Sequence, residues 1–192
     1  MVVLAGPTAV GKGTVAAYVR DHHPNIWLSI SVTTRSPRPG EVDGVHYHFV
    51  TDETFERMRS GGELLEWAVV HGRAKYGTPA AGVATALAQG RPALLEIDLQ
   101  GARQVRAAMP EALFVFLAPP SWEELVQRLV GRGTETQPER DIRLGTASTE
   151  LKAVSEFDVT IINDDVARAA EELVSWLMNP SFDHHNQGIP TS

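Results

Sequence analysis

A glycine-rich segment near the start of the chain constrains the fold more than any other feature. Residues 6–14 read GPTAVGKGT and lie between an apolar run at residues 2–5 and a helical pattern that begins at Lys12. Gly6 and Gly11 let the backbone wrap closely, so that successive amide N–H groups point inward at an anion. The following helix adds its positive end, and Lys12 adds a full charge. We call residues 6–14 the phosphate loop and predict that it binds a nucleoside triphosphate; a glycine-rich turn without a ligand is the alternative.

Short apolar runs alternate with helical patterns along most of the chain. The predicted strands cover residues 2–5, 28–31, 93–98, 113–118 and 159–162. Several are apolar at consecutive positions, which is typical of strands covered on both faces. Strands separated by helices of this length imply right-handed crossovers and a parallel sheet. The sequence therefore predicts an α/β fold, a three-layer α/β/α core with a five-stranded parallel sheet.

Several helix boundaries are visible in the sequence. Helices are predicted over residues 12–21, 52–60 and 101–109. Another helix is expected to begin at Thr78-Pro79, with Thr78 as its N-cap. Ser121 and Glu124 form a capping box for a helix that stops at residue 131. Asp165 is expected to cap a last helix that ends before residue 180.

Two stretches interrupt the alternation and divide the chain. Residues 34–90 combine prolines and glycines with alternating segments, and predict a smaller subdomain inserted in the core. Residues 131–150 are polar and basic and predict a mobile lid over a site. The core is then assigned to residues 1–33, 91–130 and 151–180. Residues 181–192 are predicted to be a disordered tail.

Composition and charge exclude several classes of protein. The 192 residues include 17 basic and 24 acidic side chains, and this net charge of −7 argues against a chain that coats a nucleic-acid polymer. No apolar run approaches the roughly 18 residues of a membrane helix. The first residues lack a secretory signal, and the absence of cysteine excludes disulfides and thiolate chemistry. We expect a cytoplasmic protein with neither a membrane nor a nucleic-acid partner.

Basic and hydroxyl side chains gather after the second predicted strand. Arg35 and Arg38 follow a strand end and are held by prolines, so that two guanidinium groups are available to one phosphate. Tyr47 and Tyr76 can donate hydroxyls, although ordinary packing is the simpler interpretation of each. Glu66 lies in an apolar run, where a solvent-facing position on an alternating strand is the alternative.

Two carboxylates end the strand predicted at residues 93–98. Glu96 and Asp98 are two residues apart and so share one face of that strand. The carboxyl end of a buried parallel strand is where such folds place metal or substrate contacts. A carboxylate satisfied by neighbouring backbone donors is the alternative. The histidines lack a third ligand at convincing spacing, and we treat them as surface residues.

These motifs, taken from the first strand to the last helix, resemble those of the guanylate kinases. The segment SVTTRSPRPGE at residues 31–41 is the most distinctive, and LLEWA, KYGT, EIDLQG, FLAPPS, GRGTET and INDD follow in order. The resemblance implies a P-loop kinase that transfers the γ-phosphoryl group of ATP to GMP or dGMP. It also implies Mg²⁺ as cofactor, ATP and GMP as the partners, and a monomer or small homo-oligomer.

The resemblance implies a role for each residue that matches the GMP side of the family pattern. The subdomain at residues 34–90 would bind GMP. Its phosphate would be held by Arg35, Arg38, Tyr47 and Tyr76. The guanine would be read by Ser31, Glu66, Thr78 and Asp98.

The ATP side follows in the same way. Arg143 would bridge the two nucleotides, and Lys12, Arg35, Arg132 and Arg143 would be the catalytic cations. Magnesium would be reached only through water, by Thr14, Glu96 and Asp98. The ATP-binding residues would be Gly6, Pro7, Thr8, Ala9, Val10, Gly11, Lys12, Gly13, Thr14, Arg128 and Arg132.

The chain departs from the family pattern in four places. Gly13 stands where a serine or threonine usually follows the lysine, which implies a magnesium ion held through waters, as in the GKGT loops of adenylate kinases. The spacing from Glu66 to Tyr76 is one residue longer than expected. Ile142 replaces a second arginine of many relatives, which implies weaker phosphate binding by the lid. Relatives usually begin several residues earlier, so we expect Met1 to be a late start site or an artificial boundary.

Two other functions remain open at this stage. A non-catalytic guanylate-kinase-like module would bind a phosphorylated peptide in the GMP cleft, but such modules are degraded at the phosphate loop, which here retains Gly6, Gly11 and Lys12. A related kinase for a phosphorylated sugar would retain the loop and have no use for Glu66.

Overall fold

The computed structural model of the chain describes residues 1–70, 74–130 and 137–179, with side chains omitted at residues 137–141. The last described segment also contains a short 3₁₀ helix, Lys152–Glu156. The helices are α1 (Lys12–His22), α2 (Asp52–Ser60), α3 (Ala80–Ala88), α4 (Leu99–Ala108), α5 (Trp122–Val130), α6 (Gln137–Leu151) and α7 (Val166–Met178). The strands are β1 (Val2–Ala5), β2 (Trp27–Leu28), β3 (Val32–Thr33), β4 (His48–Phe49), β5 (Leu64–Val70), β6 (Ala74–Pro79), β7 (Ala93–Glu96), β8 (Leu113–Ala118) and β9 (Val159–Ile162).

Five parallel strands form the central sheet in the order β2-β7-β1-β8-β9. Successive residues of β1 point to opposite faces of this sheet. Leu4 packs with Val15 of α1 and Leu173 of α7 on one face. Val3 packs with Val105 of α4 on the other. The predicted α/β fold with a five-stranded parallel sheet between helices is therefore confirmed.

A second sheet has four strands in the order β4-β3-β6-β5. Strands β5 and β6 are an antiparallel pair, β3 pairs antiparallel with β6, and β3 pairs parallel with β4. Strands β4, β5 and β6 lie within the stretch predicted as an inserted subdomain, and β3 lies just before it. Because β3 begins at Val32, the sheet starts slightly before residue 34, and the division at residues 34 and 90 stays a prediction.

The strand predicted over residues 28–31 is wrong in its extent. Strand β2 ends at Leu28, and the Ser29 amide still donates to the Leu94 carbonyl at 2.9 Å. The chain then leaves the central sheet and enters the second one at Val32. Residues 27–33 therefore pair first in the central sheet and then in the second sheet. In the sequence, these two short strands in succession have the pattern of one strand.

Two helix starts also differ from the prediction. Helix α4 begins at Leu99 rather than residue 101, because Asp98 is its N-cap and accepts from the Gly101 amide at 2.7 Å. Thr78 is not an N-cap: it lies in β6, and α3 begins after Pro79. The Thr78 hydroxyl instead donates to Glu66 on the neighbouring strand β5.

Strand β7 ends at Glu96 rather than at residue 98, because Asp98 is already the N-cap of α4. The remaining boundaries agree with the sequence to within one residue where the structure describes them. Ser121 accepts from the Glu124 amide at 3.1 Å, and Asp165 caps α7 through the Arg168 amide at 2.8 Å. The lid predicted at residues 131–150 includes most of α6, whereas residues 131–136 and the predicted tail lie outside the described residues. Of the helices described, none has the length and apolar character needed to cross a membrane.

Candidate active site

The phosphate loop joins the end of β1 to the start of α1, and its glycines are required by its shape. Gly6 and Gly11 have φ angles of 155° and 99°, a region that disfavours side chains. A Cβ atom at Gly6 would collide with the Leu117 carbonyl, and one at Gly11 would lie 2.6 Å from Asn163 Nδ2. Ala9 also has a positive φ, 65°. The loop is thus held in a conformation that costs free energy, as is common at functional sites.

Contacts from outside the loop hold it in this shape. Asn163 is 3% exposed, and its Nδ2 donates to the Val10 carbonyl at 2.8 Å. Arg128 Nη1 donates to the same carbonyl at 3.3 Å, and its Nη2 donates to the Asn163 carbonyl at 2.9 Å. Arg128 therefore braces the loop through backbone carbonyls here, and its predicted contact with ATP stays a prediction. Asn163 was missed as a site residue, although it lies in the INDD segment after β9.

Lys12 lies at the mouth of the loop, beside a carboxylate. Its ammonium group donates to the Gly6 carbonyl at 2.7 Å and to the Pro7 carbonyl at 3.2 Å. Burial raises the pKa of Glu96, and the charge of Lys12 opposes that rise. A Cβ atom on Gly13 would lie 3.7 Å from Glu96 Oε1. A serine or threonine at position 13 would therefore place its side chain beside the Glu96 carboxylate of β7.

One cavity of about 170 Å³ connects this lysine to the second sheet. It contains seven of the predicted site residues, from the phosphate loop, the end of β7 and the second sheet. Its lining is Lys12, Ser31, Tyr47, Glu66, Ala68, Val70, Tyr76, Glu96, Ile97 and Asp98.

Glu66 is the most deeply buried acid of this cavity. Its side chain faces inward from β5, and the residue is 4% exposed, so the solvent-facing alternative is wrong. Thr78 is directly opposite on β6, and its hydroxyl donates to Glu66 Oε1 at 2.7 Å. Burial raises the pKa of Glu66 to about 7, and the nearby charge of Asp98 adds to the rise. The backbone of α4 approaches so closely that a Cβ atom on Gly101 would collide with the Glu66 carboxylate.

The predicted phosphate-binding side chains form a second polar cluster beside Glu66. Arg35 Nε donates to the Tyr76 hydroxyl at 3.0 Å, and its guanidinium lies 5.3 Å from the ring centre of Tyr47. Both terminal nitrogens of Arg35 donate to Glu41, at 2.8 and 2.9 Å. This pairing holds the pKa of Glu41 below its usual range. Arg38 joins the cluster through its backbone amide, which donates to Glu41 at 2.7 Å, and its charge also lowers the pKa of Glu41.

Glu41 was not singled out from the sequence, although it ends the segment SVTTRSPRPGE. Its carboxylate spans the Arg35 guanidinium and the Arg38 amide, so it orders the loop that carries both arginines. The extra residue between Glu66 and Tyr76 does not disturb the pairing, because Ala68 lies opposite Tyr76 in regular antiparallel register.

The remaining predicted residues occupy three different settings. Arg143 of α6 reaches the phosphate loop, where its Nη2 donates to Thr8 Oγ1 at 3.2 Å. Asp98 lines the cavity, and one of its oxygens accepts from the Gly101 amide as the α4 cap, which supports the alternative of a carboxylate satisfied by a backbone donor. Its contact with a substrate or metal stays a prediction. Thr14 is exposed on the first turn of α1. Arg132 lies outside the described residues.

An amide-lined loop that carries a lysine lies on a parallel sheet. A smaller sheet with its own cations and acids lies across the cavity. Together these features define the class of P-loop nucleotide kinases. Comparison with known proteins narrows this class. A family model described as guanylate kinase matches residues 1–179. The chain belongs to the guanylate kinase family.

Individual relatives agree with that assignment. The guanylate kinase of Leifsonia xyli subsp. xyli is 62% identical over 178 residues, covering 93% of this chain and 70% of the relative. That of Rhodococcus jostii is 57% identical over 179 residues, covering 93% and 86%. The crystal structure of guanylate kinase from Anaplasma phagocytophilum is similar with a TM-score of 0.79 and 34% identity, covering 95% of this chain and 86% of that one.

Proposed function

We propose that this chain transfers the γ-phosphoryl group of ATP to GMP or dGMP, giving ADP and GDP. The observation that carries this proposal is the single cavity that joins Lys12 to the buried pair of Glu66 and Thr78. Membership of the guanylate kinase family supports the choice of both substrates. The cytoplasm supplies both nucleotides, and we expect the reaction there, in a monomer or small homo-oligomer.

Glu66 explains the choice of guanine. Guanine presents two neighbouring donors, N1–H and the 2-amino group, and an ionised carboxylate can accept from both. Adenine offers neither of these donors, so the buried Glu66 carboxylate would keep only its hydrogen bond from Thr78. Sites that depend on such a hydrogen bond reject the wrong substrate by roughly 10⁴-fold or more.

The cluster around Arg35 suits the GMP phosphate. The Arg35 guanidinium lies between two tyrosines, and the Tyr76 hydroxyl already accepts from it. A phosphate placed beside Tyr47 and Tyr76 would accept hydrogen bonds from their hydroxyls and lie within the field of Arg35. Guanine on Glu66 and phosphate beside Arg35 together orient GMP toward Lys12.

The transfer itself requires alignment and charge neutralisation more than covalent chemistry. An oxygen of the GMP phosphate attacks the γ-phosphorus as the bond to the β-phosphate oxygen of ATP breaks, and ADP leaves. The loop amides, Lys12 and Arg143 would bind the transferring group and the leaving phosphate. No side chain is required as a general base, because the attacking phosphate oxygen carries no proton that must be removed.

Magnesium fits the donors beside the loop. Glu96 faces Gly13, and burial raises the pKa of its carboxyl, so that a nearby cation would stabilise the ionised form. Hard oxygen donors are the ligands that Mg²⁺ prefers, and it usually retains several waters. We propose that Glu96, Asp98 and Thr14 hold the hydrated ion through water. When bound with ATP, it would neutralise the terminal phosphates.

A coupled assay tests this function directly. ATP is offered with GMP, dGMP, AMP, CMP, UMP or ribose 5-phosphate, with and without Mg²⁺, and ADP formation is followed. Turnover confined to GMP and dGMP supports the proposal. Turnover with ribose phosphate would favour a sugar-phosphate kinase, and no turnover with any acceptor would favour a binding module.

A further inference from the structure

Among the residues that the structure describes, two hydrogen bonds join helix α6 to Thr8 of the phosphate loop. The Thr8 amide donates to Glu150 Oε2 at 2.8 Å, and the Thr8 hydroxyl accepts from Arg143 Nη2 at 3.2 Å. Glu150 and Arg143 are seven residues apart and therefore lie on the same face of the helix, two turns from each other. The helix thus holds both the main chain and the side chain of one loop residue.

The position of Glu150 is unusual for an acid. Its pKa is raised chiefly by burial and also by Asp98, whereas the Thr8 amide and Lys12 favour the charged form. A carboxylate so close to Lys12 would repel the phosphates of ATP, which is a disadvantage unless it contributes something else. Its hydrogen bond to Thr8 satisfies an amide at the rim of the loop.

The core fixes the part of α6 that carries Glu150. Ala147 is completely buried among the residues that cover one face of the central sheet, and Leu151 packs against the same group. Glu150 lies between these two contacts along the chain. The core therefore fixes the backbone of α6 beside Thr8, and this anchoring favours a Glu150 carboxylate that stays on the Thr8 amide.

We propose that Glu150 is a positioning residue for ATP, and this inference rests on the proposed function. Its carboxylate holds the Thr8 amide so that the rim of the phosphate loop keeps its shape and the Thr8 hydroxyl stays within reach of Arg143. Glu150 itself does not touch the nucleotide. Removing it loosens the loop, whereas the GMP cluster around Glu66 and Arg35 is unaffected.

Three variants of Glu150 test this role. Glu150→Ala removes the acceptor, Glu150→Asp withdraws it by one methylene, and Glu150→Gln retains an oxygen that can accept from the Thr8 amide. The control is Glu171→Ala. Glu171 lies on α7, far along the sequence from the phosphate loop, and it also makes a long-range contact, with His23 Nε2 at the end of α1 at 3.0 Å. Steady-state kinetics with each substrate varied are combined with calorimetric titration of ADP and a melting curve.

We expect Glu150→Ala and Glu150→Asp to raise the KM for ATP and the Kd for ADP about tenfold, as for one lost hydrogen bond to a charged group. The KM for GMP should stay within about twofold, Glu150→Gln should restore most of the affinity, and Glu171→Ala should match the parent. The inference is overturned by unchanged or tighter ADP binding in Glu150→Ala, by failure of Glu150→Gln to rescue, or by equal losses for both substrates. Should the parent phosphorylate no acceptor, the proposed function fails, whereas ADP titration still tests the brace.

Discussion

Glu66→Gln is the substitution that most sharply separates guanine recognition from structural support. The glutamine oxygen can still accept one hydrogen bond, but its amino group opposes a donor of guanine. One or two hydrogen bonds to a charged group are lost, each about 1.5–3 kcal/mol. We therefore expect kcat/KM for GMP to fall by roughly 10²–10⁴-fold, with the KM for ATP within about twofold of the parent.

The same variant predicts a change in stability with pH. In the folded chain the Glu66 pKa is about 7, against an ordinary value of 4.5, so the folded state retains a proton that the unfolded state has lost between these values. Stability due to Glu66 is therefore lost as pH rises through this window. At about 1.4 kcal/mol for each pKa unit, the loss is about 3 kcal/mol by pH 8. Glutamine does not titrate, so the free energy of unfolding of Glu66→Gln should gain about 2.5 kcal/mol on the parent between pH 5 and pH 8, the part of this loss that falls above pH 5.

The assays pair steady-state kinetics with urea denaturation at pH 5 and pH 8. The control is Glu63→Gln, because Glu63 lies beside β5 with its side chain 47% exposed in an ion pair with Arg57. The parent should also show a KM for GMP that falls about tenfold from pH 6 to pH 8 as Glu66 ionises, a dependence absent from Glu66→Gln. The GMP phosphate ionises identically with both proteins, so it cancels in the comparison. A kcat/KM for GMP within threefold of the parent would refute the role of Glu66.

Four further substitutions test other parts of the account. Lys12→Ala should lower kcat at least about 100-fold in the coupled assay, while calorimetry shows a melting temperature within a few degrees of the parent. A kcat similar to that of the parent would exclude the lysine from the mechanism. Arg35→Lys should raise the KM for GMP about tenfold because lysine lacks the guanidinium fork, and an unchanged KM would exclude this contact. Gly145→Ala should stabilise α6 by about 1 kcal/mol in urea denaturation, because a Cβ atom there meets nothing within 4 Å. Gly11→Ala should instead lower the free energy of unfolding, because it strains the loop. A less stable Gly145→Ala and a more stable Gly11→Ala would contradict the backbone argument.

The central sheet could be predicted because its signal is local. Strands such as Val2–Ala5 are apolar at every position, and helical patterns separate them. The placement of Glu96 and Asp98 at the end of strand β7 was also predicted, but their shared strand face was not correct, because β7 ends at Glu96 and Asp98 caps α4. The resemblance to guanylate kinases implied the second sheet's site residues, Glu66 and Tyr76 among them, and these line the cavity with Lys12.

Features that depend on tertiary contacts were not visible in the sequence. Thr78 before a proline has the local pattern of an N-cap, but antiparallel pairing places its hydroxyl on Glu66 instead. Asn163 and Glu150 contact the phosphate loop from 153 and 142 residues away, and no local pattern marks such contacts. Glu41 lay within a recognised motif, yet only the structure shows its carboxylate on both terminal nitrogens of Arg35.

The central claim is that one cleft holds both nucleotides end to end, with Lys12 between them. Calorimetric titration with a bisubstrate ligand, adenosine and guanosine joined through a chain of phosphates, measures this directly. The account predicts one ligand per chain and a Kd at least about 100-fold below those of ATP and GMP alone, because the second contact becomes intramolecular. Two ligands per chain, or a Kd no lower than that of the better single nucleotide, would contradict it.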